Sequence, residues 1–271
     1  MEIVAERLGF GYPGHRVIDA LDARFLPGRL SGIIGPNGSG KTTLIRLMSG
    51  ALKPDSGRVL LDDQPVGELR GQALARKIAV VPQKSHLGFD FSVLDVVLMG
   101  RQPYIGRFSR EKSEDLELAR EAMRMTGVEH LEKRSVTALS GGEWQRVIIA
   151  RALCQATPVM LMDEPISSLD IRHQLEVLNL ARRLAHEKQV CVVCVLHDLN
   201  LAANFCDELL LMKAGKKVAQ GRPEQVLVRD TLRSVYGIEA GILRDELGMT
   251  VRPNYAEPEW NVTKIFPNAQ I

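Results

Sequence analysis

Between residues 2 and 34, apolar and polar positions alternate in strand-length pieces broken at Gly11, Pro13-Gly14 and Pro27-Gly28. Period two over short stretches bounded by Gly and Pro predicts a small antiparallel sheet. It leads into an apolar run, Leu30–Ile34, of the kind carried by a strand buried on both faces. A glycine-rich turn then opens a helix at about residues 41–50, and further strands are expected at 57–61 and Ile78–Val81. From about residue 83 to 157 the texture changes. Stretches such as 92–99 and 111–126 repeat their apolar positions with a helical period, which predicts a helical insertion. After Pro158 apolar strands return at 159–162, 190–196 and Glu208–Lys213, separated by helical stretches at 172–187 and 199–206. Strands alternating with helices predict an α/β unit. A hairpin is expected at 241–244 and 249–252 around Asp245-Glu246-Leu247-Gly248, and residues 254–271 carry no regular pattern.

Composition narrows this picture only a little. The 271 residues are 45% apolar and 25% charged, with Lys+Arg 35 against Asp+Glu 33, the balance of a globular protein rather than a disordered one. A formal charge of +2 leaves no basic surplus that would predict strong binding to nucleic acid. No apolar run approaches the roughly 18–20 residues that cross a bilayer, and the first ten residues lack the pattern of a cleaved leader, so a cytoplasmic location is expected. Cys154, Cys191, Cys194 and Cys206 fall in core-like sequence. Along a strand, positions three apart face opposite sides, so Cys191 and Cys194 read as packing residues rather than a metal or redox pair.

Three segments carry chemistry. Gly35-Pro36-Asn37-Gly38-Ser39-Gly40-Lys41-Thr42 fits G-x-x-x-x-G-K-[ST] between a predicted strand and a predicted helix. Such a loop turns its backbone N–H groups onto phosphate oxygens, with the helix N-terminus adding its positive end. Lys41 is placed to reach the β- and γ-phosphates, and Thr42 to offer its hydroxyl to Mg²⁺. Val159-Met160-Leu161-Met162-Asp163-Glu164 is an apolar strand ending in two acids, where ligands gather in open α/β sheets. Asp163 suits the Mg²⁺ side, and Glu164 suits a base that orients and deprotonates an attacking water. The plainer reading of an Asp-Glu pair is a helix cap. Ser140-Gly141-Gly142, at a predicted helix start, would make a second anion site.

Leu139-Ser140-Gly141-Gly142-Glu143-Trp144-Gln145-Arg146 resembles the signature of the ATP-binding-cassette (ABC) ATPases, and its separation from Asp163 is also similar to that family's. The resemblance implies a P-loop ABC ATPase fold of α/β class. Its parts are a RecA-like mixed sheet core, an N-terminal antiparallel β subdomain and an α-helical subdomain inserted at about 84–157. The nucleotide-binding domain would run over 1–236 with a tail at 237–271. It implies ATP and Mg²⁺ as ligands, and two copies paired head to tail so that the signature of one closes over the γ-phosphate held by the other. Further positions take implied roles from the same resemblance. Tyr12 stacks on adenine, and Gly35, Asn37, Gly38, Ser39, Gly40, Lys41, Thr42 and Thr43 cradle phosphate. Gln83 touches Mg²⁺ and the lytic water, Asp170 in Ser168-Leu169-Asp170 reaches across the dimer, and His197 contacts the γ-phosphate. A histidine at a strand end is, taken alone, more often structural than catalytic, and its position in this series of motifs reverses that reading. The sequence departs from the family pattern at Ile166, where threonine is commoner, and at Trp144; neither removes a catalytic group.

Within the family the chain carries one cassette and no sustained heptads, so as a transporter motor it needs a separate membrane permease. The stretch from Phe89-Asp90-Phe91 to Pro103-Tyr104 resembles the ATPases of iron-chelate importers. So do Leu169-Asp170-Ile171-Arg172-His173-Gln174 and Leu196-His197-Asp198-Leu199-Asn200-Leu201-Ala202-Ala203. The implied assembly is a homodimer on the cytoplasmic face of the inner membrane, peripheral to a permease dimer and fed by a substrate-binding protein. The cargo would be a ferric siderophore first, then haem or cobalamin. Residues 83–110 would receive a permease helix, although Phe89, Phe91 and the 93–99 stripe also suit plain core packing. A soluble ABC ATPase of DNA repair or translation, and a small-molecule P-loop kinase, are the competing readings; the second leaves 139–146 unexplained.

Overall fold

The computed structural model describes residues 1–83, 90–106, 109–246 and 248–254. The chain opens with β1 (Ile3–Tyr12) and β2 (His15–Phe25), an antiparallel pair closed at Pro13-Gly14, where Gly14 takes φ 77°. Proline then glycine at the two turn positions is the combination a type II turn requires. Burial along β1 changes parity: Ile3 and Ala5 are buried, and then Leu8 and Phe10. The register with β2 shifts between Ala5 and Leu8, and Arg7 has φ 43°. A bulge here inserts a residue and carries the apolar positions back to the core face.

The fully buried β3 (Leu30–Ile34) passes through the glycine-rich loop into α1 (Lys41–Met48). The chain then returns to the first layer as β4 (Ser56–Leu61) and β5 (Gln64–Pro65), giving an antiparallel sheet of order β2-β1-β4-β5. After α2 (Gln72–Ala75), β6 (Ile78–Val81) enters the main sheet. The expected helical insertion follows as α3 (Val93–Leu98), α4 (Ser113–Met125) and α5 (Gly141–Cys154). Ser92 and Ser140 close capping boxes on α3 and α5 with Asp95 and Glu143. Val93, Val96 and Val97 are fully buried, so the apolar stripe on α3 is mainly core. Phe91, Leu94, Leu98 and Met99 are partly covered, and Phe89 lies outside the described residues.

The rest completes the main sheet with β7 (Val159–Asp163), α6 (Ile171–Lys188), β8 (Cys191–Val195), α7 (Leu199–Phe205), β9 (Glu208–Lys213) and β10 (Lys216–Gly221). Its order is β10-β9-β3-β8-β7-β6, all parallel except the β9–β10 hairpin. Side chains of alternate residues leave by opposite faces. Val192 and Cys194 of β8 join one core cluster with the insertion and α6, while Cys191, Val193 and Val195 join another with α1 and the antiparallel layer. All four cysteines are free and buried, and burial raises the thiols of Cys154 and Cys191 to about 11 and 12. Among the described residues no helix is long and apolar enough to cross a membrane.

Three elements beyond Lys213 were not anticipated from the sequence pattern: β10, α8 (Pro223–Val226) and α9 (Arg229–Tyr236). Pro223 begins α8 where its missing N–H costs nothing, and Leu232 and Val235 form the buried side of α9. The expected hairpin is present as β11 (Ala240–Asp245) and β12 (Gly248–Pro253). It does not stand off as a tail: Ala240, Met249 and Val251 are buried in the same cluster as the insertion and α6.

Candidate nucleotide-binding site

The site forms where β3, β6, β7 and β8 end on the same side of the sheet. In the loop after β3, Gly35, Gly38 and Gly40 take φ of 148°, 77° and 98°. A Cβ on Gly35 would stand 2.2 Å from the Met212 carbonyl oxygen, and one on Gly40 would stand 2.8 Å from Ile18. Glycine is therefore required twice over, by backbone angle and by space. Gly40 offers no side-chain cap to α1, which leaves the first N–H groups of that helix free for an anion. Lys41 folds back over the loop and donates from Nζ to the carbonyls of Gly35 at 2.9 Å and Pro36 at 3.0 Å. Burial pushes its pKa down, against the pull of Glu164 and Asp163. Ser39 is buried in the same loop with its hydroxyl unpartnered.

Asp163 closes β7 and accepts a hydrogen bond from Thr42 Oγ1 at 3.1 Å. Asp163 as a whole is 4% exposed, and burial raises its pKa despite that bond. Among the described residues no three His, Cys, Asp or Glu side chains converge on a metal position. A hydroxyl and a carboxylate side by side still fit Mg²⁺, which takes one or two protein oxygens and fills its shell from phosphate and water. The next residue turns away from this pair. Glu164 has φ 51°, a left-handed backbone unusual for a residue with a side chain. Its Oε2 accepts from Gln83 Nε2 at 2.7 Å, and its Oε1 lies 2.6 Å from His197 Nε2. Gln83 lies two residues beyond β6 and His197 two beyond β8, so Glu164 ties together three strand ends.

An open cleft of about 340 Å³ is lined by Tyr12, His15, Val17, Asn37, Gly38, Gly40, Lys41, Thr42, Thr43 and Glu164. Tyr12 is 44% exposed and stands edge-on to Phe10, with ring centroids 5.1 Å apart. The ring thus offers a face to the cleft mouth, where a planar base can stack. His15 and Val17 line the cleft without having been expected; they come with Tyr12 because the β1–β2 turn is so short. Tyr236 was also missed. Its buried hydroxyl faces the backbone N–H of Gly35, and burial raises it to about 12.

Ser140, Gly141, Gly142 and Asp170 are not among the cleft-lining residues. Ser140 Oγ accepts from Glu143 N–H at 3.3 Å, while Asp170 caps α6 through His173 N–H at 2.9 Å. A Cβ on Gly141 would meet nothing within 4 Å. Nothing among the described residues therefore requires glycine there, which leaves that surface open to close approach by another body. One chain brings Tyr12 and Glu164 to the cleft, joins Asp163 to the loop through Thr42 and joins Gln83 and His197 to it only through Glu164, while Ser140 and Gly141 are exposed.

The ABC transporter family model matches residues 18–167. The chain is 43% identical over 242 residues to the cobalamin import ATP-binding protein BtuD of Halobacterium salinarum. That match covers 89% of this chain and 60% of that protein, so the chain spans about three fifths of this relative's length. It is 42% identical over 249 residues to the hemin import ATP-binding protein HmuV of Escherichia coli O157:H7, covering 90% and 95%. Among solved structures it is similar to an inward-facing metal-chelate type ABC transporter, with TM-score 0.80 and 30% identity over 93% of this chain and 97% of that one. It is also similar to the dimeric structure of a bacterial ABC transporter cassette, with TM-score 0.75 and 28% identity over 82% and 98%.

Proposed function

The chain belongs to the ABC transporter family, and on that premise we propose that it is the ATP-hydrolysing subunit of an importer for a metal chelate. Two copies close around two ATP molecules beneath a permease dimer, and hydrolysis reopens them. The single observation that carries this reading is Glu164, held by Gln83 and His197 beside the Thr42–Asp163 pair. A carboxylate fixed at both oxygens keeps one geometry toward the phosphate loop, as a base for water requires. Lys41 leaves its two carbonyls for the β- and γ-phosphates, and Tyr12 stacks on the base. Mg²⁺ held by Thr42 and Asp163, with Gln83 nearby, neutralises phosphate charge when bound. Ser140, Gly141, Gly142 and Asp170 act on the nucleotide of the other copy, which is why they stand apart from the cleft of their own chain.

The names of the relatives support import over a role in DNA repair or translation, and they support haem and cobalamin ahead of the ferric siderophore. A permease dimer, and through it a substrate-binding protein, are the partners this reading requires. The test is capture of the tagged chain from detergent-solubilised membranes of its host, with ATP turnover measured on the product. Recovery of a polytopic permease together with turnover supports the reading. Recovery of ribosomes or DNA-associated proteins with no membrane protein overturns the import half and leaves the ATPase half standing.

A further inference from the structure

The helix α7 begins two residues after His197, and the C-terminal hairpin is bonded along it. Asn204 Oδ1 accepts from the Met249 N–H at 2.9 Å, while its Nδ2 donates to the Met249 carbonyl at 2.8 Å. One turn earlier, Asn200 Oδ1 accepts from the Val251 N–H at 2.7 Å. Positions 249 and 251 alternate along β12, and β11 pairs with its other side. The two asparagines, four apart on one helix face, thus stand where a third strand would lie. Gly248 permits the approach: its φ is 122°, and a Cβ there would stand 1.9 Å from Asn204 Oδ1. Met249 and Val251 are 5% and 4% exposed, buried in the core cluster that Ala202 of α7 also joins.

α7 is held to the core by the fully buried Ala202 and by Leu199, Leu201 and Phe205 packed against the same cluster, and the asparagines add a second fastening of fixed geometry. Seven residues are too few for a helix to persist alone, and asparagine is a poor helix former. At its start, the Asp198 carboxylate accepts from the N–H groups of Asn200 and Leu201 at 2.7 and 2.9 Å. His197 directly precedes that cap, with its ring against Glu164. The histidine thus sits between the end of β8, where Leu196 N–H bonds the Ile33 carbonyl at 3.1 Å, and the cap of α7.

We propose that Asn200 and Asn204 are positioning residues for His197, and that the hairpin β11–β12 is the fixed edge against which they set it. The proposal rests on the ATPase reading of the cleft, and it is tested on the purified full chain by calorimetric ATP binding and steady-state turnover. Asn204→Ala, and from the opposite side Gly248→Ala, lower kcat by about tenfold while ATP affinity stays within about twofold of wild type. Combined with His197→Ala, Asn204→Ala brings no further loss, because both act through one ring. Unchanged kcat in the folded Asn204→Ala protein, or losses that multiply in the double variant, overturn the proposal. Should Asn204→Ala fail to fold, Asn204→Asp keeps the acceptor for Met249 N–H, loses the bond donated to its carbonyl, and is read in the same way. The His197 ring nitrogen shifts in NMR give a readout free of turnover: they move in both variants, and unmoved shifts overturn the proposal. A wild-type chain without turnover contradicts the ATPase reading instead, and the two failures are distinguishable.

Discussion

Two parts of the molecule bury charge, and they do so in opposite ways. In the helical insertion, Arg101 and Asp115 meet at 2.8 Å with side chains 11% and 10% exposed. Arg101 also donates to the Cys154 carbonyl at 3.0 Å, and the second oxygen of Asp115 accepts from Lys112 N–H at 3.1 Å. The Arg101 bond holds the Asp115 carboxyl below its ordinary range, so the pair is content in its charged form. At the cleft, burial pushes Lys41 down and Asp163 up, so each is pressed toward neutrality. A satisfied pair ties three helical segments together and asks for nothing more. A lysine short of an anion beside a carboxylate short of a cation mark where a ligand must bring both, and a Mg-nucleotide does.

The largest effect that sharpens this contrast is expected at Glu164. Glu164→Gln retains ATP binding and lowers kcat by about 10²–10⁴, the range for a general base. Wild-type turnover in that variant would remove Glu164 from the chemistry. Next comes Arg101→Ala, which strands a buried carboxylate and costs about 3–5 kcal/mol in denaturant unfolding, with ATP affinity unchanged in the folded protein. Because the folded-state pKa of Asp115 lies below 3.8, its contribution is present above that value and lost as pH falls through the folded-state value. Arg101→Ala therefore flattens the acid limb of the stability curve; an unaltered limb breaks the comparison. The smallest effect has the opposite sign. Asp163 has its folded-state pKa above 3.8, so its cost is absent below 3.8, grows as pH rises, and is complete once pH passes the folded-state value. Asp163→Asn keeps an acceptor for Thr42 and raises the Tm of the nucleotide-free protein at pH 7, while weakening the Mg²⁺-dependent part of ATP binding. A lowered Tm contradicts the assignment of Asp163 as the frustrated member.

The same contrast explains what was legible in the sequence. Periodicity located Leu30–Ile34, Ile78–Val81 and Glu208–Lys213 because parallel core strands are continuous apolar runs. The phosphate loop was legible because its glycines answer a backbone requirement that no other residue meets. Other features depend on tertiary geometry and leave no local mark. The parity change at Arg7 comes from a bulge. Glu164 combines a left-handed backbone with bonds to residues following β6 and β8, a conjunction that exists only in the folded sheet. Arg101 and Asp115 are 14 residues apart and look like ordinary surface charges until α3, α4 and α5 pack. Asn200 and Asn204 read as polar positions on a short helix, and only the folded hairpin gives them partners.

Thermal unfolding with and without Mg-ATP, on wild type and on Lys41→Ala, tests most directly whether the cleft is half of a charge arrangement that nucleotide completes. At about a hundredfold excess over Kd, ligand binding adds about 2.7 kcal/mol, so the wild-type Tm should rise by roughly 5–10 °C while Lys41→Ala stays put. An equal rise in both proteins, or none in either, would contradict it.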